Sequence, residues 1–102
     1  MSVVNTSTPL GVIVHEHRDR IREIAKRHRG RTVRVVGSVA RGDAHQGSDI
    51  DFLVDFEPDS SLFDLLHLAE ELEQLLDHRV DVVSAGGLKD RDREILAEAV
   101  EL

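Results

Sequence analysis

Gly37-Ser38-Val39-Ala40-Arg41-Gly42-Asp43-Ala44-His45-Gln46-Gly47-Ser48-Asp49-Ile50-Asp51-Phe52-Leu53-Val54 decides how this chain folds. The stretch runs from a glycine turn into a strand. From residue 49 to residue 56 the residues alternate, with Ile50, Phe52, Val54 and Phe56 on one face and Asp49, Asp51, Leu53 and Asp55 on the other, because side chains switch sides along a strand. Just upstream, Thr32-Val33-Arg34-Val35-Val36 has the β-branched bias of a second strand that delivers the chain to Gly37-Ser38. Val39-Ala40-Arg41 is predicted to open a brief helix, and Gly42-Asp43 and Gln46-Gly47-Ser48 carry turn chemistry.

On the N-terminal side, Thr8-Pro9 is a helix start. Leu10, Ile13, Val14, His17, Ile21, Ile24, Ala25 and His28 recur at helical spacing, and Gly30 is placed to end the helix. On the C-terminal side, Pro58-Asp59-Ser60 breaks the strand and Ser61-Leu62-Phe63-Asp64 resembles a capping box, with Asp where Glu or Gln is usual. Leu62, Leu65, Leu66, Ala69, Leu72, Leu75 and Leu76 follow as an apolar stripe expected to face the core. A strand is predicted over 79–84, with Val80 and Val82 on one face and Asp81 and Val83 on the other. After Gly86-Gly87 comes a last helix carrying Ile95, Leu96, Ala99 and Val100. The order α-β-(α)-β-α-β-α predicts one α/β domain over 1–102, a three-strand mixed sheet with flanking helices. The first two strands are close enough in sequence to be antiparallel. The Leu-rich helix is long enough for a right-handed crossover to a parallel third strand.

Composition bounds what such a domain does. With 102 residues, 40% of them apolar but only 3% aromatic, the core must be built from Val, Leu and Ile around three Phe. A formal charge of −7 argues against unaided nucleic-acid binding, and the basic residues between Arg18 and Arg34 suit a solvated helix face. Absence of cysteine excludes disulfides and thiolate metal sites. No signal peptide and no window near ~20 apolar residues is visible, so the expectation is a soluble cytoplasmic protein without a membrane role.

The carboxylates are where chemistry concentrates. Asp49 and Asp51 would lie about 6.5–7 Å apart on one strand face, and Asp81 would join them if its strand lay alongside. Such crowding calls for a cation. Hard oxygen ligands suit Mg²⁺, and two ions about 3.5–4 Å apart would align an in-line displacement at phosphorus. Gly37 would let the backbone approach a phosphate, Ser38 would offer its N–H and hydroxyl, and Arg41 would supply a guanidinium one turn on. Lys89 is a weaker candidate for the same task. His15, His17, His28, His67 and His78 are read as structural or surface residues, and His45 lies within the motif loop.

The pattern Gly37-Ser38-x-x-Arg41-Gly42, a spacer, then Ser48-Asp49-x-Asp51 resembles the signature of the DNA polymerase β-like nucleotidyltransferase superfamily. The small size points to its minimal nucleotidyltransferase (MNT) group. That resemblance implies a nucleotidyltransferase core like the polymerase β palm. It implies Asp49, Asp51 and Asp81 as a catalytic, metal-binding triad, and Gly37, Ser38, Arg41 and Ser48 as the nucleotide-binding set. It further implies ATP as donor, Mg²⁺ as cofactor and a HEPN-family RNase toxin as partner. By this analogy the protein is an antitoxin that transfers AMP to a tyrosine hydroxyl of that toxin. The chain has no room for a tRNA- or primer-binding domain, which favours a protein acceptor. A noncatalytic antitoxin that binds sterically and an enzyme acting on a small-molecule acceptor are the alternatives.

Overall fold

The computed structural model describes residues 3–88 and 92–102. In chain order the elements are α1 (Pro9–Glu16), α2 (Arg18–Arg27), β1 (Gly30–Val36), α3 (Gly37–Arg41), β2 (Ile50–Phe56), α4 (Leu62–Leu76), β3 (Val80–Ser84), a 3-10 turn (Ala85–Gly87), α5 (Arg93–Glu98) and β4 (Val100–Glu101). The sheet order is β3-β2-β1-β4. β1 runs antiparallel to β2 and to β4, whereas β2 and β3 are parallel, joined through α4. The mixed α/β sheet with flanking helices is the expected one, widened by the short β4.

The alternation of β2 explains the layering. Ile50, Phe52 and Val54 are fully buried, and with Val33 and Val35 of β1 they pack against Ile21, Ile24 and Ala25 of α2 and Leu68, Leu72 and Leu76 of α4. An ion-pair clamp joins these two helices: Glu71 accepts from Arg27 at 3.0 Å and from His28 Nε2 at 2.7 Å. The His28 hydrogen bond, helped by Arg27, holds the Glu71 carboxyl below its ordinary value. At the start of α4 the Asp64 carboxylate accepts the Ser61 N–H at 2.9 Å, so the shorter acid does serve the cap.

Four local expectations are corrected. The predicted first helix is two, because at His17 the ring Nδ1 donates to the Ile13 carbonyl at 2.8 Å, the same oxygen that its backbone N–H reaches at 3.1 Å, and its backbone (φ −101°, ψ 12°) leaves the helical range. Gly30 does not end α2; Arg29 takes the left-handed turn (φ 65°) and Gly30 begins β1. Glycine is required there by proximity, since a Cβ would lie 2.9 Å from Val54 Cγ1 and 3.0 Å from the Ala25 carbonyl. Val100 leaves the last helix for β4, where it pairs with Val35, because β1 offers an open edge and Ala99 is already extended. Leu62 and Leu66 are 68% and 50% exposed, so the core stripe of α4 is narrower than its leucines suggest.

Candidate active site

On the sheet face opposite α2 and α4, three strands present one row: Val36 of β1 pairs with Asp51 of β2, and Asp51 pairs with Asp81 of β3. Register partners on adjacent strands point the same way, with backbones about 4.8 Å apart. The sequence could not establish that Asp81 neighbours Asp51; the parallel crossover does. Asp49 lies one residue before β2 and is half-exposed, with its Oδ1 3.6 Å from Arg79 Nε. Arg79 is 87% exposed, so that pair is a weak tether.

Gly37 is the hinge between β1 and the site. Its φ of +71° falls in the region that disfavours side chains, and a Cβ there would stand 2.6 Å from Asp51 Oδ2. The backbone thus comes directly against a carboxylate, in a cradle that any larger residue would fill. Burial pushes the Asp51 carboxyl above its ordinary value. The charges of Asp81 and Asp49 push the same way, and Arg41 opposes them. At Asp51 the neighbouring acids thus add to the effect of burial.

The positive half lies on α3. Arg41 Nε donates to Asp43 Oδ2 at 3.2 Å, and its Nη1 reaches both Glu98 oxygens at 3.4 Å. Hydrogen bonds to Asp43 and then Glu98 raise the guanidinium above its ordinary value. Glu98, at the end of α5, also accepts the Gly37 N–H at 3.1 Å. Ser38 is half-buried in the first turn of α3. Ser48 is occupied locally, its Oγ accepting the His45 N–H at 2.9 Å and its N–H donating to the His45 carbonyl at 2.9 Å. His45 Nδ1 accepts from Gly47 N–H at 3.2 Å. Ser48 and His45 thus shape the loop that leads to Asp49. Lys89 lies outside the described residues.

Sequence reasoning missed Glu98 and Arg79. Glu98 joins Gly37 only through the fold, and nothing local in Arg93–Glu98 marks it. Among the described residues, no three histidine or acidic side chains stand close enough to hold an ion unaided. The donor set still fits Mg²⁺, which usually takes one or two carboxylates and completes its shell with water and substrate phosphate. The excess negative charge at Asp51 is what such an ion would relieve. Among the described residues no helix is long and apolar enough to cross a membrane.

Comparison with known proteins follows the same lines. The family described as "Nucleotidyltransferase domain" matches residues 16–101. The protein adenylyltransferase MntA of Thermococcus cleftensis is 46% identical over 68 residues, spanning 67% of this chain and 69% of the relative. A solved structure of a candidate minimal nucleotidyltransferase superposes with a TM-score of 0.82 at 42% identity, covering 96% of this chain and all 100% of the other. A second, a toxin-antitoxin structure with AMP-PNP, shares the fold with a TM-score of 0.70 at 21% identity, covering 81% of this chain and 69% of that one.

Proposed function

This chain belongs to the nucleotidyltransferase domain family, and from that premise we propose that it is a protein adenylyltransferase that acts as an antitoxin, moving AMP from ATP to a tyrosine hydroxyl of a HEPN-type RNase toxin. The observation that carries the chemistry is the register of Asp51 with Asp81 beside the side-chain-free approach at Gly37. The family relation to a protein adenylyltransferase supports the donor and the protein acceptor. The toxin-antitoxin structure with AMP-PNP motivates the partner and the nucleotide.

In this reading Asp49, Asp51 and Asp81 would supply carboxylates to Mg²⁺, one or two to an ion, with water and substrate phosphate completing its shell; bound there, the metal would neutralise phosphate charge and favour the ionised acceptor hydroxyl. The Gly37 and Ser38 N–H groups and the Arg41 guanidinium hold the triphosphate so that its α-phosphorus faces the carboxylate row. The acceptor oxygen forms a bond to that phosphorus while the bond to the bridging oxygen breaks, and pyrophosphate leaves. The hydroxyl proton passes to a carboxylate of this set, in which Asp81 on edge strand β3 and Asp49 are exposed and Asp51 is half-buried. Ser48 contributes by fixing the loop that presents Asp49.

The test is transfer of label from ATP carrying ³²P at the α position, in Mg²⁺ buffer, to proteins of the native host lysate. Label on one protein, absent with Asp49→Ala, is the expected result. Tight capture of a protein without label would replace catalysis by steric inhibition.

A further inference from the structure

The proposed phosphate cradle is already holding an anion. Glu98 places one carboxylate oxygen 3.1 Å from the Gly37 N–H and both oxygens 3.4 Å from Arg41 Nη1. These are the donors that the proposed function gives to the triphosphate, so the inference rests on that reading. A carboxylate and a phosphate oxygen ask for the same charge-assisted hydrogen bonds, and one set of donors cannot serve both.

We infer that Glu98 is a resident competitor for the nucleotide's phosphates and so sets the affinity with which this protein takes up its donor. Its position is built by the fold. Glu98 closes α5, the chain turns extended at Ala99, and β4 then pairs with β1 at Val35 and Arg34. The backbone is thereby pinned on the strand that leads into Gly37. The side chain above that anchor keeps its own rotatable bonds, so leaving the cradle requires a rotamer change rather than movement of a strand. Glu98 is 27% and Arg41 49% exposed, which gives the displaced carboxylate a direct way into water. The exchange swaps one anion for another beside the acidic row, so a nucleotide that arrives with its charge neutralised is admitted more readily than a bare polyanion.

A competitor lowers apparent affinity by the fraction of time that the site is free; occupancy of nine-tenths costs about tenfold. The experiment is calorimetric titration of ATP and of inorganic tripolyphosphate, in Mg²⁺ buffer without acceptor, into wild type, Glu98→Gln and Glu98→Ala. The expected result is tighter binding in both variants, about tenfold for Glu98→Ala and less for Glu98→Gln, whose amide oxygen still accepts from Gly37. Melting curves check folding, and the isosteric Glu98→Gln carries the test alone if the alanine variant is unstable. Equal or weaker binding in the variants, with measurable binding to wild type, overturns competition and leaves the nucleotidyltransferase reading intact; weaker binding would mean that Glu98 helps hold the metal–nucleotide complex. No binding of either ligand to any of the three proteins overturns the cradle and the proposed function together.

Discussion

The two faces of one sheet use the same three strands for opposite ends. Toward α2 and α4, β1 and β2 present Val33, Val35, Ile50, Phe52 and Val54, all essentially without solvent contact. On the other face β2 and β3 carry Asp51 and Asp81 in one row, with Val36 of β1 and Leu53 of β2 the buried apolar residues beside them. One face lowers the free energy of the fold by removing carbon from water. The other raises it by burying part of a carboxylate and gathering like charges around it, as Asp51 registers. A residue-by-residue alternation is thus enough to separate what holds the molecule together from what it holds ready.

Substitutions on each face should break that contrast in opposite ways. The largest effect is expected from Asp51→Asn, which should reduce transfer by about a thousandfold or more, equivalent to about 4 kcal/mol, in the labelled-ATP assay; near-normal transfer would remove the acid row from the chemistry. Next, Phe52→Ala, one residue away on the other face, should cost about 3–5 kcal/mol in urea unfolding. Gly37→Ala should cost about 1–2 kcal/mol from its left-handed backbone alone, and its Cβ should push Asp51 aside and abolish transfer with the fold preserved.

The smallest effect has the opposite sign. In metal-free buffer at pH 7, Asp51→Asn should stabilise the protein by on the order of 0.5 kcal/mol after solvent screening, a few degrees in Tm. The sign follows from linkage. The folded-state value of Asp51 is raised above its unfolded one, so its contribution to stability is fully present below the ordinary carboxylate range and is lost as pH rises through the raised value. The gain from Asn should therefore vanish below the ordinary carboxylate range, where Asp51 carries its proton in both states, and a gain that persisted there would need another cause.

The sequence made some of these features legible and hid others, for physical reasons. Period-two alternation located β2 and its two faces, because strand geometry converts sequence spacing directly into sidedness. The glycine and acid motif located Gly37, Asp49 and Asp51 within one loop and one strand. Asp81 was legible as an acid among valines, but its adjacency to Asp51 depended on a crossover that only the fold fixes. Glu98 was invisible because its partners lie far back in the chain. Val100 was misread because one or two residues at a helix end carry too little pattern to separate a last turn from an edge strand. His17 and Gly30 were misread because side-chain competition for a carbonyl and close backbone approach leave no periodic trace.

The crossover that pairs Asp51 with Asp81 also orders events during folding. The two acids are brought together only when β3 closes on β2, a contact between segments distant along the chain, whose loop-closure entropy must be met before the pairing rewards it. A growing or damaged chain that stops short of β3 has the glycine loop and two acids but no third. Completion of the reactive row and docking of β3 are one event, so a chain that has not docked β3 has no finished centre with which to react.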